Sequence, residues 1–278
     1  MSHNNQKKIA VINDFSGFGR CSLTVEIPVI SKLKVQCCPL PTSIFSNHTG
    51  FKSFYMCDFT SSMQQYADEW KKLNLEFNGI STGFLGSVEQ IQIVSNFIRN
   101  FKTKDTIVIV DPVMGDYGKT YSTYTEEMCK NMRKLVAFSD ITTPNLTESC
   151  ILTATEYHED YGDEDLIRIA QKISRIGPEK VVITGIVRDD EILNLCYENH
   201  NGNEKIKFIG SKKLGEVRSG TGDVFSAIIS ADAVNGVEFS DSVKKAAKFI
   251  SLCLKASTKM DIPLTDGVCF EEVLSKLK

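Results

Sequence analysis

The chain has 278 residues, 42% hydrophobic and 24% charged, and a net charge of -3 from 32 Lys+Arg against 35 Asp+Glu. That length allows a large buried core, and the lack of a basic excess argues against a nucleic-acid or anionic-membrane partner. No apolar run reaches the roughly 18 residues that span a bilayer, and Met1 to Lys8 lacks the apolar centre of a secretory signal. A cytoplasmic protein is therefore expected.

The nine cysteines run from Cys21 to Cys269 with no C-x-x-C pair, and the four histidines are scattered. They read as reduced core thiols, not as a zinc site.

Short apolar runs alternate with helical patterns. Ile9 to Ile12 predicts a first strand ending at Asn13-Asp14, followed by a helix over Leu23 to Leu33 capped by Ser22. Val35 to Leu40 predicts a second strand and Gly79 to Phe84 a third. Ser87 and Gln90 have capping-box spacing for a helix over Val88 to Phe101. Thr106 to Val110 predicts a fourth strand ending at Asp111-Pro112, followed by a helix over Glu126 to Phe138. Asp165 to Ile176 predicts a helix with Gly177 at its end, and Val181 to Ile183 a fifth strand ending at Thr184-Gly185. Glu191 to Tyr197 and Lys205 to Ile209 flank Asn201-Gly202, a hairpin turn. A helix opens after Gly220-Thr221-Gly222-Asp223 and ends at Gly236, and Asp241 to Ala256 predicts the last one. Continuous apolar runs suit strands buried on both faces of a parallel sheet. The chain reads as a single α/β domain over residues 1–278: a doubly wound, mainly parallel sheet flanked by helices, with an antiparallel edge hairpin. In such sheets ligands sit beyond the carboxyl ends of the strands, so the polar residues ending the runs should converge on one crevice.

Gly220-Thr221-Gly222-Asp223 carries the most chemistry. Its glycines let the backbone approach a ligand, and a helix N-terminus offers unpaired amides and a partial positive charge to a phosphate. An aspartate there makes sense as a base that takes a proton from a hydroxyl while the amides hold a phosphoryl group. Gly17-Phe-Gly19-Arg-Cys-Ser22 lacks the third glycine of a dinucleotide fingerprint, and Gly118-Lys119-Thr120 lacks the earlier glycine of a P-loop. Asp116 to Tyr124 reads as a polar loop able to cover a nucleotide. Asn145 and Glu148, three apart at a helix start, form either a plain capping box or a pair that holds magnesium through its waters. Phe45-Ser46-Asn47-His48-Thr49-Gly50 gathers polar groups suited to the heteroatoms of a small aromatic ring.

Together these segments resemble the ribokinase-like superfamily, and within it the pyridoxal kinases. The match rests on Phe45 to Gly50, Asp111-Pro-Val-Met-Gly-Asp116, Thr143-Pro-Asn-Leu-Thr-Glu148 and Gly220 to Asp223, in the family's order. The resemblance implies ATP-dependent phosphorylation of the 5′-hydroxymethyl group of pyridoxal, pyridoxine or pyridoxamine. It implies Asp223 as base and the amides of Gly220, Thr221 and Gly222 as the anion hole. Asp14, Ser16, His48 and Thr49 would then face the pyridine ring, with Phe84 against it. The ATP side would comprise Asp111, Asp116, Thr143, Asn145, Glu148 and Thr184. Asp116 and Glu148 would hold Mg²⁺ through water, and Asp111 and Thr143 a monovalent cation such as K⁺. It also implies a homodimer. Asp14 and Phe84 depart from the serine and tyrosine of the animal enzymes, which bears on ring recognition. Two other readings compete: a hydroxymethylpyrimidine kinase, whose acceptor is also a hydroxymethylated nitrogen ring, and a non-catalytic B6- or nucleotide-binding protein. Turnover with each acceptor separates all three.

Overall fold

The computed structural model describes residues 2–278. Its strands are β1 (Lys8–Phe18), β2 (Gln36–Asn47), β3 (Met56–Asp58), β4 (Gly79–Thr82), β5 (Ile107–Val110), β6 (Gly115–Asp116), β7 (Lys119–Thr120), β8 (Ile141–Thr142), β9 (Lys180–Arg188), β10 (Glu191–His200) and β11 (Asn203–Lys212). The helices are α1 (Leu23–Lys32), α2 (Thr60–Lys72), α3 (Val88–Phe101), α4 (Glu126–Val136), α5 (Leu146–Thr153), α6 (Asp163–Ser174), α7 (Thr221–Asn235) and α8 (Phe239–Lys259), followed by 3-10 turns at Leu264–Asp266 and Glu271–Lys276.

One nine-stranded sheet has the order β11-β10-β9-β8-β5-β4-β1-β2-β3. The strands from β9 across to β2 are parallel. Both margins are antiparallel, β9-β10-β11 at one and β2-β3 at the other. This is the doubly wound architecture expected, with a second antiparallel edge at β3 that the sequence reading did not include. Ile9, Ala10, Val11 and Ile12 are all fully buried because the strand is covered on both faces. Ala10 and Ile12 pack into a core with Met63, Leu85 and Val94, while Ile9 and Val11 pack opposite with Val25, Val224 and Ile228. Burying each such aliphatic side chain stabilises the fold by about 1.5–3 kcal/mol. α7 is buried almost all round, which explains why it shows no amphipathic stripe.

Several expectations need correction. β1 does not stop at Asn13; it shifts register between Asn13 and Phe15 and runs on to Phe18 beside β2. β2 likewise continues through Phe45-Ser46-Asn47. Ser22 does not cap α1: its φ is 52° and its hydroxyl donates elsewhere. Ser87 does accept from the Gln90 amide at 3.1 Å, but Gln90 reaches Gly86, Thr42 and Thr60 instead of closing a box. Gly177 is not left-handed; a Cβ there would lie 2.5 Å from the Ala137 carbonyl oxygen, so close packing explains the glycine. Gly236 is the left-handed end of α7 at φ 80°, as expected. Asn201 and Gly202 turn the hairpin with φ 51° and 85°. Gly118-Lys119-Thr120 lies on the small hairpin β6-β7, not between a strand and a helix, which excludes a P-loop. The same hairpin gives the expected Asp116–Tyr124 loop a regular core. Among the described residues no helix is long and apolar enough to cross a membrane.

Candidate active site

The parallel strands deliver their carboxyl ends to one side of the sheet, and the N-terminus of α7 opens beside them. Gly220 sits at φ 85°, where a Cβ would drive into the Arg20 carbonyl oxygen. The first amide of the helical ladder is Val224, which donates to the Gly220 carbonyl at 2.9 Å. The amides of Thr221 and Gly222 therefore precede the ladder and face outward from the helix end. The Thr221 hydroxyl turns back to the Arg218 carbonyl at 3.2 Å, holding the loop. Asp223 stands in the first turn of α7. Burial, and then the charge of Asp14, push its carboxyl up to about 6, against the lowering pull of the Ser22 amide and the Asn13 side chain.

Asp14 is 6% exposed. The Ser22 hydroxyl donates to its Oδ1 at 2.6 Å and the Ser16 hydroxyl to its Oδ2 at 3.0 Å. Burial raises its carboxyl despite both donors. Asn13 locks this corner: its Oδ1 accepts from the amides of Asp14 at 2.9 Å and Phe84 at 2.8 Å. Its Nδ2 donates to Glu26 Oε2 at 3.0 Å. The half-buried Phe84 ring meets Phe45 edge-on at 6.4 Å.

On the other side, Asp111 ends β5 with its amide on the Thr82 carbonyl at 3.0 Å. Burial raises its carboxyl well above the usual range, and the charges of Glu148 and Asp223 raise it further. Glu148 closes a capping box with Asn145 at the start of α5, so the plain local reading of that pair holds. Glu148 Oε1 also accepts from the Met114 amide at 3.1 Å, and Asn145 Nδ2 donates to the Gly115 carbonyl at 2.8 Å. The pair thus fixes the strand that leads into the β6-β7 hairpin. Burial pushes Glu148 up to about 8. Asp116 is raised by burial and accepts from the Tyr117 amide at 2.9 Å. The Thr143 hydroxyl is buried without a partner, and Thr184 donates its amide to the Pro144 carbonyl at 2.9 Å.

Among the described residues none of Asp14, Asp111, Asp116, Glu148 or Asp223 forms a salt bridge. Asp111, Glu148 and Asp223 thus face neighbouring carboxyls with no protein cation to offset them, while among the described residues no three acidic, His or Cys side chains are grouped closely enough to hold a metal ion by themselves. Glu26 is a member that sequence reasoning missed. It is 2% exposed, and burial followed by the charge of Asp223 raises it well above the usual range. Its signal was available: three residues after Leu23 and four before Ile30, it lies on the buried face of α1.

One expected site residue, His48, is engaged elsewhere. Both His48 ring nitrogens are engaged within the chain, Nδ1 with the Gly50 amide at 3.1 Å and Nε2 with the Thr265 carbonyl at 2.6 Å. Neither is left to meet a ligand. Thr49 is exposed in the turn after β2.

The sheet order, the crevice beyond its parallel strands and the glycine-turned helix with its aspartate define a ribokinase-like protein. The family model described as "Phosphomethylpyrimidine kinase" matches residues 23–264. The chain belongs to the phosphomethylpyrimidine kinase family. A solved structure of a candidate phosphomethylpyrimidine kinase from Bacteroides thetaiotaomicron is 38% identical, with a TM-score of 0.96 over 100% of this chain and 96% of that one. A second crystal form of that protein, with pyridoxal, gives a TM-score of 0.94 at 38% identity over 98% and 96% of the two chains. The pyridoxine kinase of Bacillus subtilis is 27% identical over 65% of this chain. The matched region likewise spans 65% of that relative's length.

Proposed function

We propose that the protein is an ATP-dependent pyridoxal kinase that phosphorylates the 5′-hydroxymethyl group of pyridoxal, and also of pyridoxine and pyridoxamine. The observation that carries this reading is Asp223 in the first turn of α7, raised to about 6 beside the free amides of Thr221 and Gly222. A carboxyl in that range is mostly ionised near neutral pH yet basic enough to accept a proton from the attacking hydroxyl. The 38%-identical relative with pyridoxal supports the choice of acceptor.

In this reading Asp14 and Ser16 orient the ring's polar groups, Thr49 adds a hydroxyl at the rim and Phe84 lies against the ring. Asp14, with two hydroxyl donors, would favour a ring that presents a hydrogen. Asp223 takes the proton of the hydroxymethyl group as its oxygen attacks the γ-phosphorus. The amides of Gly220 to Gly222 stabilise the charge on the transferring phosphoryl group. Asp111, Asn145 and Thr184 line the phosphate side. The unneutralised carboxyls fit Mg²⁺, which Asp116 and Glu148 would hold through water. It would offset phosphate charge and stabilise the charged forms of these acids, which burial now disfavours. The unpartnered Thr143 hydroxyl, with Asp111, suits a monovalent cation such as K⁺. We further read the protein as a cytoplasmic homodimer, the second on family resemblance, with the exposed Ile44, Tyr55 and Met56 beside the β3 edge as a candidate face.

The family description favours one second reading, phosphorylation of a hydroxymethylpyrimidine. The test is product formation from ATP with pyridoxal, pyridoxine, pyridoxamine and hydroxymethylpyrimidine in parallel. Highest kcat/KM with a B6 vitamer supports the proposal. A preference for the pyrimidine overturns the acceptor, and binding without ATP consumption overturns the kinase.

A further inference from the structure

The segment Ile262 to Val268 holds no residue of the proposed chemistry, yet it is bound to the three loops that surround it. Arg218, 9% exposed, donates from Nη1 to the carbonyls of Ile262 at 2.8 Å and Pro263 at 3.0 Å. The Val268 amide donates to the Ser219 carbonyl at 3.0 Å. Both contacts grip the two residues before Gly220. The Arg20 amide donates to the Asp266 carbonyl at 3.1 Å, and its Nη1 reaches the same oxygen at 3.1 Å. Its Nε closes on Glu271 at 2.8 Å. Gly267, at φ 81°, is required here because a Cβ would lie 2.7 Å from the Arg20 carbonyl oxygen.

The third grip is His48, at the end of the substrate-side strand. The Gly50 amide donates to Nδ1, so that nitrogen carries the lone pair and Nε2 carries the hydrogen. Nε2–H then donates to the Thr265 carbonyl. Gly19 is packed against the same ring, where a Cβ would lie 2.9 Å from Nε2. Glycine at position 19 thus serves the close approach of His48, not a dinucleotide.

We infer that residues 262–268 form a strap that sets the position of the Gly220–Gly222 loop, and that His48 is a positioning residue acting through the Thr265 carbonyl. This rests on the reading of Gly220–Gly222 as the phosphoryl-binding loop. A strap that is exposed at Pro263 to Thr265, anchored by the buried Gly267 and Val268 and bonded to two sides of the crevice, fixes the distance between acceptor and phosphoryl group, and small misplacements there are costly to turnover.

The test compares His48→Ala, His48→Asn and His48→Gln by steady-state kinetics with pyridoxal and by amide hydrogen exchange. His48→Ala and the shorter His48→Asn are expected to lower kcat by about tenfold while KM for pyridoxal changes by less than about threefold. Exchange is expected to speed up in residues 218–224 and 262–269 and to stay unchanged in the 191–212 hairpin. His48→Gln, long enough to donate to Thr265, is expected to recover most of both properties. A rise in KM at constant kcat makes His48 a ligand contact and overturns the proposal. Unchanged exchange at 262–269, or a glutamine variant no better than asparagine, overturns it as well. Exchange needs no turnover, so this inference fails separately from the kinase reading.

Discussion

The two ends of α7 treat an aspartate in opposite ways. Near its C-terminus Asp232 is 1% exposed and Lys245 reaches its Oδ1 at 2.8 Å. At its N-terminus Asp223 meets Asp14, Glu26 and Asp111, and among the described residues it forms no salt bridge. The fold neutralises the acid that serves packing and leaves unneutralised the acids around the crevice. Desolvated like charges cost stability unless a ligand compensates them, so the difference marks where a cation and phosphates are expected to bind. Asp14, Asp111, Asp116, Glu148 and Asp223 share this condition across five different elements or loops.

Substitution at each end sharpens the contrast. Asp223→Asn is expected to lower kcat by about 10²-fold or more while ATP still binds, measured by turnover and by equilibrium titration. The same change removes one of the mutually repelling charges, so the unliganded variant should be more stable than the parent above about pH 6 in urea titrations. Lys245→Ala should do the reverse. It leaves Asp232 buried without its cation, and because Lys245 is partly exposed the expected loss is about 2 kcal/mol. Its kcat at saturating substrates should match the parent. Equal effects of the two substitutions on turnover would erase the distinction.

A pH dependence of stability follows from the raised carboxyls. Asp223 at about 6 and Glu148 at about 8 bind protons more tightly in the folded chain than in the unfolded one. Their contribution is fully present below their unfolded values and is lost as pH rises through the folded ones. Stability of the unliganded protein should therefore decline from about pH 4 to about pH 8, and MgATP should flatten the slope by adding cation to the cleft. The measurement is urea unfolding across that range with and without MgATP.

Much of this was legible in the residues. Ile9 to Ile12 and Val181 to Ile183 show a doubly covered sheet because every position is apolar, and Asn201-Gly202 shows its hairpin. Gly220 to Asp223 shows a glycine-turned helix start with an acid in its first turn, because both the glycine geometry and the acid are local. What escaped was non-local. β8 is two residues long and owes its place to neighbours on both sides. β3 pairs only across an edge, and its three residues carry no alternation. Ser22 looked like a cap because Ser before an apolar run usually is one, but its φ of 52° departs from cap geometry and its hydroxyl lies on Asp14. His48 looked like a ligand contact because its partner, the Thr265 carbonyl, is 217 residues away. Glu26 was passed over because an acid in a helix is usually solvated, and only the packed α1–α7 side shows it facing Asp223.

The central claim is that Asp223, kept free of a protein cation, is the base in ATP-dependent phosphorylation of pyridoxal. Its most direct test is kcat/KM for pyridoxal at saturating MgATP from about pH 5 to about pH 8. The base must be ionised, so activity is expected to rise with pH through an apparent pKa near 6. Asp223→Asn should lack that limb. A parent profile that is flat across this range, or the absence of phosphorylated pyridoxal at any pH, would contradict the account.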